Sequence, residues 1–220
     1  MDLSKKIVLP GEEIDIDGFK QGNGLYFEDG KYYSYQLGLI QVYNNFVNVI
    51  PLSGKYFPSK NDKVIAKVIE IAPSFWVLDI NSPYPAFLHV NDTPWKPASG
   101  ELGKILNVGD TVYAKINEIT ESRQIWLSIK EPGLRKIEGG HIITVQPSKV
   151  SRIIGKGGSM VNMIKESTGV KIQLGQNGVV WLDGEPEKVL EVIKILKFIE
   201  EESAASGLTD AVRSRLEKSR

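Results

Sequence analysis

Residues 153–172 read IIGKGGSMVNMIKESTGVKI. Helix-forming residues run into Gly155-Lys156-Gly157-Gly158, a second helix is expected from Ser159 to Thr168-Gly169, and a strand follows. The glycines let the backbone come close to something bulky. Lys156 supplies charge, and Ser159 stands where it can cap the second helix. A helix N-terminus with free N–H groups beside a lysine favours phosphate. The bland alternative is a glycine turn between two packed helices. A Walker A loop is excluded, because it needs a lysine followed directly by Ser or Thr, and Gly157 follows Lys156.

Working outward, HIITV reads as a strand and PSKVSRII as a helix with Pro147 near its start. VKIQL and VVWLD read as two more strands around the turn Gly175-Gln176-Asn177-Gly178, and EPEKVLEVIKILKFIEEE as a long helix. Met160, Val161 and Ile164 fall at helical spacing and belong to a core. Val189, Val192, Ile193, Leu196 and Ile199 form an apolar stripe. Over residues 131–202 the order βααββα and the glycine loop resemble a eukaryotic-type KH domain. Such a GXXG loop clamps about four backbone nucleotides of a single strand. The resemblance implies RNA contacts from Lys149, Arg152, Ile154, Gly155, Lys156, Gly157, Gly158, Ser159 and Ile172, with Ile153 beside them. Pure core is the alternative for Ile153 and Ile172.

Residues 59–130 read as five strands, KVIAKVIEI, SFWVLDI, AFLHV, TVYAKINEI and QIWLSI, with a longer loop between the third and fourth. That rhythm fits an OB-fold, a five-stranded barrel that binds oligonucleotides on one face. The run NDKVIAKV, then FWVLDI, FLHV, VGDTVYAKI and IWLSI, is similar to the S1-type RNA-binding domain. By motif position the resemblance implies base stacking by Trp76 and a contact from His89, with Asn91 where the family has serine and Pro73 where it has an aromatic. Strand alternation sets Trp76 and Phe75 on opposite faces, so one of them is core. Lys67, Lys96 and Arg123, with Lys104 and Lys115, are candidates for backbone contacts. Arg123 sits in the tight ITESRQI turn, from which it can reach into a channel. Trp126, between Ile125 and Leu127, reads as packing or an interface.

Residues 1–58 are rich in glycine and β-formers, with turns at Gly22-Asn23-Gly24, Asp29-Gly30 and Asn44-Asn45. They read as a small β-domain, a sandwich or barrel fragment. Residues 203–220 read as a linker, Ser203 to Gly207, and a short helix capped by Thr209. The fold class is therefore α+β and multidomain.

Lys and Arg total 27, as do Asp and Glu, so the net charge is zero. The basic excess is confined to residues 131–175, with 7 basic against 3 acidic side chains. A local patch on a neutral chain suits modest, salt-sensitive backbone binding; solvated lysines with no partner are the alternative. The chain has no cysteine, which fits a reducing compartment and excludes zinc ribbons. No apolar run approaches the length of a membrane span, and MDLSKKIVLPGEE lacks a signal-type apolar core. A soluble, cytoplasmic protein without a membrane partner is expected. Two histidines and scattered carboxylates give no triad, metal cluster or paired acids, so no enzyme, metal or cofactor is expected.

The order of modules adds to the motifs. With Val8-Leu9-Pro10-Gly11-Glu12, Gly22-Asn23-Gly24, Tyr33-Ser34 and Ile50-Pro51-Leu52-Ser53-Gly54-Lys55-Tyr56, the chain resembles the archaeal exosome RNA-binding cap family along nearly its whole length. In that family three copies sit on a hexameric ring of ribonuclease-PH-like subunits and guide RNA 3′ ends into its pore. The resemblance implies a non-catalytic subunit whose partners are single-stranded RNA, the ring and its own copies in a homotrimeric cap. The other archaeal cap protein carries a cysteine zinc ribbon, and polynucleotide phosphorylase tails place KH before S1. Open alternatives are a eukaryotic cap relative, a free-standing RNA chaperone or translational regulator, and an adaptor whose RNA surfaces are vestigial.

Overall fold

A computed structural model describes residues 6–52, 54–96, 101–203 and 207–218. The chain divides into two compact units, residues 1–54 and 55–220.

The first unit is all β. Strands β1 (Ile7–Val8), β2 (Lys20–Gln21), β3 (Leu25–Glu28), β4 (Lys31–Ser34), β5 (Gly38–Tyr43) and β6 (Phe46–Pro51) form a sheet of order β1-β5-β6-β2 and a separate hairpin, β3-β4. The Asn44-Asn45 turn joins β5 to β6 with φ of 47° and 67°. Two positive φ values in a two-residue loop match the twist of the strands, and Asn tolerates them. Asp29-Gly30 closes the other hairpin in the same way. Val8, Ile14, Ile16, Leu25, Ile40, Val47 and Val49 form the core. The result is an open sheet plus a hairpin.

The second unit begins with β7 (Lys63–Ile71), β8 (Phe75–Asp79), β9 (Ala86–His89), β10 (Thr111–Ile119) and β11 (Ile125–Ser128). These close into a five-stranded barrel, with β9 and β11 parallel and the other pairs antiparallel. Bulges at Val68/Glu70 and Ile116/Glu118 bend the two long strands, as closure requires. Inward side chains alternate along each strand; Val64, Ala66, Val68, Leu78, Leu88, Ile116 and Leu127 are fully buried. Within the long loop before β10, residues 97–100 lie outside the described residues. A further strand, β12 (Arg135–Ile137), pairs with β10.

The remainder is the KH arrangement. It runs β13 (His141–Thr144), a 3-10 turn at Pro147–Lys149, α1 (Val150–Ile154), α2 (Ser159–Thr168), β14 (Lys171–Leu174), β15 (Val179–Asp183) and α3 (Pro186–Glu201). The sheet order is β13-β15-β14, and the helices share one core with its inner face. A last helix, α4 (Leu208–Lys218), buries Leu208, Val212 and Leu216 in that core and packs on α2 and α3. Thr209 lies inside α4 and does not cap it. Of the expected linker, residues 204–206 lie outside the described residues.

Barrel and KH module are joined through the outer face of the KH sheet. Trp181 points away from the KH helices into the barrel core, while its neighbours Val180 and Leu182 point toward the helices. The turn at 175–178 plugs into the barrel wall: the Gln176 N–H donates to the Lys63 carbonyl at 2.8 Å, and Asn177 is fully buried there. Gln173 bonds the Tyr113 hydroxyl across the same seam.

Candidate RNA-binding surfaces

The glycine loop leaves α1 at Gly155, where φ is 75° and ψ is 174°. A Cβ there would lie 2.8 Å from both Met160 Cβ and Met160 N, so only glycine fits. Gly157 (φ 60°) and Gly158 (φ 85°) are also left-handed, but a Cβ on Gly157 would meet nothing within 4 Å. Gly155 is thus required by packing, and Gly157 by backbone conformation and exposure. Lys156 stands exposed on the loop with no partner among the described residues. Ser159 is exposed and is the first residue of α2, with helical φ and ψ; Gly158 takes the cap position and Ser159 makes no capping bond. The expected Ser159 cap is therefore not formed, because Ser159 is itself helical and the left-handed Gly157 and Gly158 already set the entry to α2.

Arg152 is exposed on α1, Lys149 is half-buried just before it, and Ile154 is half-buried beside the loop. Ile172, expected to line the groove, is 4% exposed and belongs to the KH core, as does Ile153 at 0%. Alternation along β14 turns Ile172 and Leu174 toward the helices and leaves Lys171 and Gln173 outside. Much of the basic excess is already paired. Lys171 meets Asp183 at 3.0 Å, Lys136 meets Asp110 at 2.7 Å, and the Arg135 guanidinium lies 5.4 Å from the Trp181 ring centre. Burial would raise the Asp110 carboxyl, but hydrogen bonds from Lys136 and the Asn107 N–H outweigh it and hold the group below its ordinary value. Lys149, Lys156 and Lys165 make no ion pair among the described residues, and of the three Lys156 sits on the glycine loop itself.

The barrel corrects one expectation and supplies what it left out. Trp76 is fully buried and donates its indole N–H to the Leu106 carbonyl at 3.0 Å, so it holds the long loop onto the core and cannot stack a base. Phe75, on the opposite face of β8, is half-buried on the barrel's outside. It meets Phe87 edge-on at 5.7 Å and Trp126 at 6.3 Å, and Phe87 and Trp126 lie 5.4 Å apart. The sequence reading missed Phe87 and Trp126 as a pair because β9 and β11 are distant in sequence and become neighbours only when the barrel closes, with Trp126 opposite Phe87. Phe87 alternates with core residues Ala86 and Leu88, as Trp126 does with Ile125 and Leu127, and that alternation was the available signal.

His89 sits directly opposite Phe75 in the β8–β9 register. Its Nδ1 accepts the Asn91 backbone N–H at 3.1 Å. Lys67 is exposed on β7, opposite Asp79 on β8, and Lys96 is exposed in the loop. Arg123 is exposed in a left-handed conformation (φ 60°), but it does not reach outward. Its Nη1 donates to the Tyr84 hydroxyl at 2.6 Å, and its guanidinium lies 5.6 Å from that ring centre. Among the described residues no group of three or more His, Cys, Asp or Glu could hold a metal ion, and no helix is long and apolar enough to cross a membrane.

These two surfaces offer complementary chemistry within one compact unit. The glycine loop gives close backbone approach beside a free lysine, and the barrel gives aromatic faces.

Comparison with known proteins agrees with this division. The KH domain family model matches residues 140–198, and that of the exosome RNA binding protein RRP4 N-terminal domain matches residues 5–53. The exosome complex component Rrp4 of Thermoplasma acidophilum is 53% identical over 97% of this chain and 91% of its own length. That of Picrophilus torridus is 49% identical over 97% and 93%, and that of Methanosarcina mazei 43% identical over 99% and 84%. A crystal structure described as an exosome complex RNA-binding protein is 33% identical, with a TM-score of 0.68 over 75% of this chain and 97% of that one. The chain belongs to the Rrp4 family of exosome complex components.

Proposed function

We propose that this protein is the RNA-binding cap subunit of an archaeal exosome, which captures single-stranded RNA and guides its 3′ end to a ribonuclease-PH-like ring for degradation or tailing. The observation that carries this reading is the pairing of an open glycine loop with an aromatic barrel face in one compact unit of an Rrp4-family chain. Lys156 and the loop backbone hold phosphate, with Lys149 and Arg152 adding charge on the same side. Phe75, Phe87 and Trp126 stack bases without regard to sequence. Each surface alone is weak. Joining them raises the effective concentration of one for a strand held by the other, and three copies in a trimeric cap raise it further.

The subunit itself is non-catalytic and acts in the cytoplasm by positioning RNA. The division at residues 58, 130 and 202 gives each module one task. The first carries exposed Ile7, Leu9, Phe27 and Tyr43, apolar side chains suited to docking on the ring. Purification from native extract with mass spectrometry of partners tests the assembly. Ring subunits at equal stoichiometry are expected; recovery as a free monomer would favour a free-standing RNA regulator. Incubation of the pure chain with labelled RNA, phosphate and magnesium should leave the RNA intact.

A further inference from the structure

We propose that Asn177-Gly178 is a site of spontaneous deamidation gated by the seam between barrel and KH module. It reacts only when the seam opens, and its product keeps the seam from closing again. The reaction needs no enzyme and no reactant other than water.

The chemistry follows from the dipeptide. Glycine has no side chain to hinder attack by its own nitrogen. The Gly178 nitrogen gives its proton to solvent base and attacks Cγ of Asn177. The N–Cγ bond forms, the Cγ–Nδ2 bond breaks, and Nδ2 takes up a proton and leaves as ammonia. Water then opens the succinimide ring, to aspartate at one carbonyl and to isoaspartate at the other. The fold demands this labile pair. A Cβ on Gly178 would lie 2.3 Å from the Val145 carbonyl oxygen, so only glycine fits. Asn177 supplies one acceptor and two donor contacts to the Ile65 N–H and to the Ile65 and Ile80 carbonyls.

The closed seam blocks each step. Those three bonds fix the side chain of Asn177, and the Gly178 N–H donates to the Gly175 carbonyl at 3.0 Å. Asn177 is 0% exposed, so neither base nor water reaches it. The other Asn-Gly pair, Asn23-Gly24, is the contrast: Asn23 is exposed, and its side chain makes no hydrogen bond among the described residues. Either product at 177 fits the seam badly. Aspartate sets a carboxylate against the Ile65 and Ile80 carbonyl oxygens. Isoaspartate lengthens the main chain between Gln176 and Gly178, whose N–H and carbonyl are each held at 2.8 Å by Lys63 and Val145. Each modified chain therefore stays open at the seam.

The test ages the full chain in warm, mildly alkaline buffer and follows both Asn-Gly pairs by mass spectrometry of peptides, with fragmentation that separates isoaspartate from aspartate. In the native chain Asn177 should react about a hundredfold or more slowly than in urea-unfolded chain, because the rate tracks the population of the open form. Gln173→Ala removes the bond to the Tyr113 hydroxyl across the seam. It should speed the Asn177 reaction about fivefold, the worth of one neutral hydrogen bond, and leave the Asn23 rate unchanged. Urea below the unfolding transition is an arm that needs no variant: the logarithm of the Asn177 rate should rise with urea as opening becomes easier. Hydrogen exchange on chain modified at 177 should show the Ile65 amide unprotected. Native and unfolded chains reacting alike at Asn177, or a rate that neither Gln173→Ala nor urea moves, would overturn the gating. A protected Ile65 amide in the modified chain would overturn the permanent opening.

Discussion

Asn177 pairs with the backbone of Ile65 as a strand residue would: its Oδ1 accepts the Ile65 N–H at 3.3 Å and its Nδ2 donates to the Ile65 carbonyl at 2.8 Å. Nδ2 also donates to the Ile80 carbonyl at 3.0 Å, and the residue is fully buried. One side chain from the KH turn thus satisfies three backbone groups of the barrel. Asn177→Ala should cost about 3 kcal/mol or more, because it strands those groups away from water. Asn177→Asp keeps the acceptor but sets a carboxylate against two carbonyl oxygens, so its cost should be larger at neutral pH and shrink in acid. Denaturant melts at two pH values check both, and hydrogen exchange at the Ile65 amide reports the seam directly.

Buried and surface aromatics on the barrel should separate cleanly by mutation. Trp76→Ala removes a fully buried indole and its bond to Leu106, and should cost about 3–5 kcal/mol in stability. Trp126→Ala and Phe87→Ala remove half-exposed rings and should leave the melt much less affected. RNA affinity should fall in each by about 1–3 kcal/mol, the worth of one stacked base. Wild-type affinity in both surface variants would remove the aromatic patch from the RNA path.

The contrast between Trp76 and Trp126 marks what the sequence could tell. Local signals carried far: the Asn44-Asn45 turn, the five barrel strands, the glycine loop and the KH element order are each written in a few adjacent residues, and each is formed. Alternation showed that Phe75 and Trp76 face opposite ways, but not which way is in; the Leu106 carbonyl, thirty residues on, decides that. Asn177 read as an ordinary turn residue, since nothing near it reveals that the turn meets Ile65, 112 positions earlier. The reach expected of Arg123 is curtailed by Tyr84, 39 positions earlier and just before the neighbouring strand β9, a contact that only barrel closure creates.

Tyr56 and Asp62 give the barrel a pH-dependent contact. The Tyr56 hydroxyl donates to Asp62 Oδ2 at 2.6 Å, and the Ser59 N–H reaches the same oxygen at 3.3 Å. Burial nevertheless dominates and holds the Asp62 carboxyl above its ordinary value of 3.8, with the two hydrogen bonds opposing it. Burial likewise pushes the Tyr56 hydroxyl up, so it stays a donor. A carboxyl raised on folding favours the native state most when protonated, so that contribution is lost as pH rises above 3.8. Tyr56→Phe removes a bond that stabilises the carboxylate. Its cost should therefore be small in acid and reach about 1.5–3 kcal/mol near neutrality. Asp62→Asn should flatten this pH dependence. Urea melts of the three proteins from pH 4 to pH 7 check the sign; a Tyr56→Phe cost that is larger in acid would contradict it.

The glycine loop offers the sharpest separation of structure from binding. Gly155→Ala meets Met160 at 2.8 Å in a backbone conformation that alanine avoids, so the KH module should lose about 3 kcal/mol or more. Gly157 has the same handedness but open space, and Asp or Asn there should cost only about 1–2 kcal/mol. Lys156→Asp with Gly157→Asp then places two negative charges where a phosphate is expected, on a folded module. RNA affinity should fall about tenfold or more, equivalent to about 1.4 kcal/mol. Gly157→Asn alone carries the same backbone strain without the charge and should bind within about threefold of wild type, a difference below 1 kcal/mol. Circular dichroism and thermal melting confirm that the variants are folded. A folded double-Asp protein with unchanged affinity would make the loop a structural turn, and would leave RNA handling to the barrel with the KH module as a docking element.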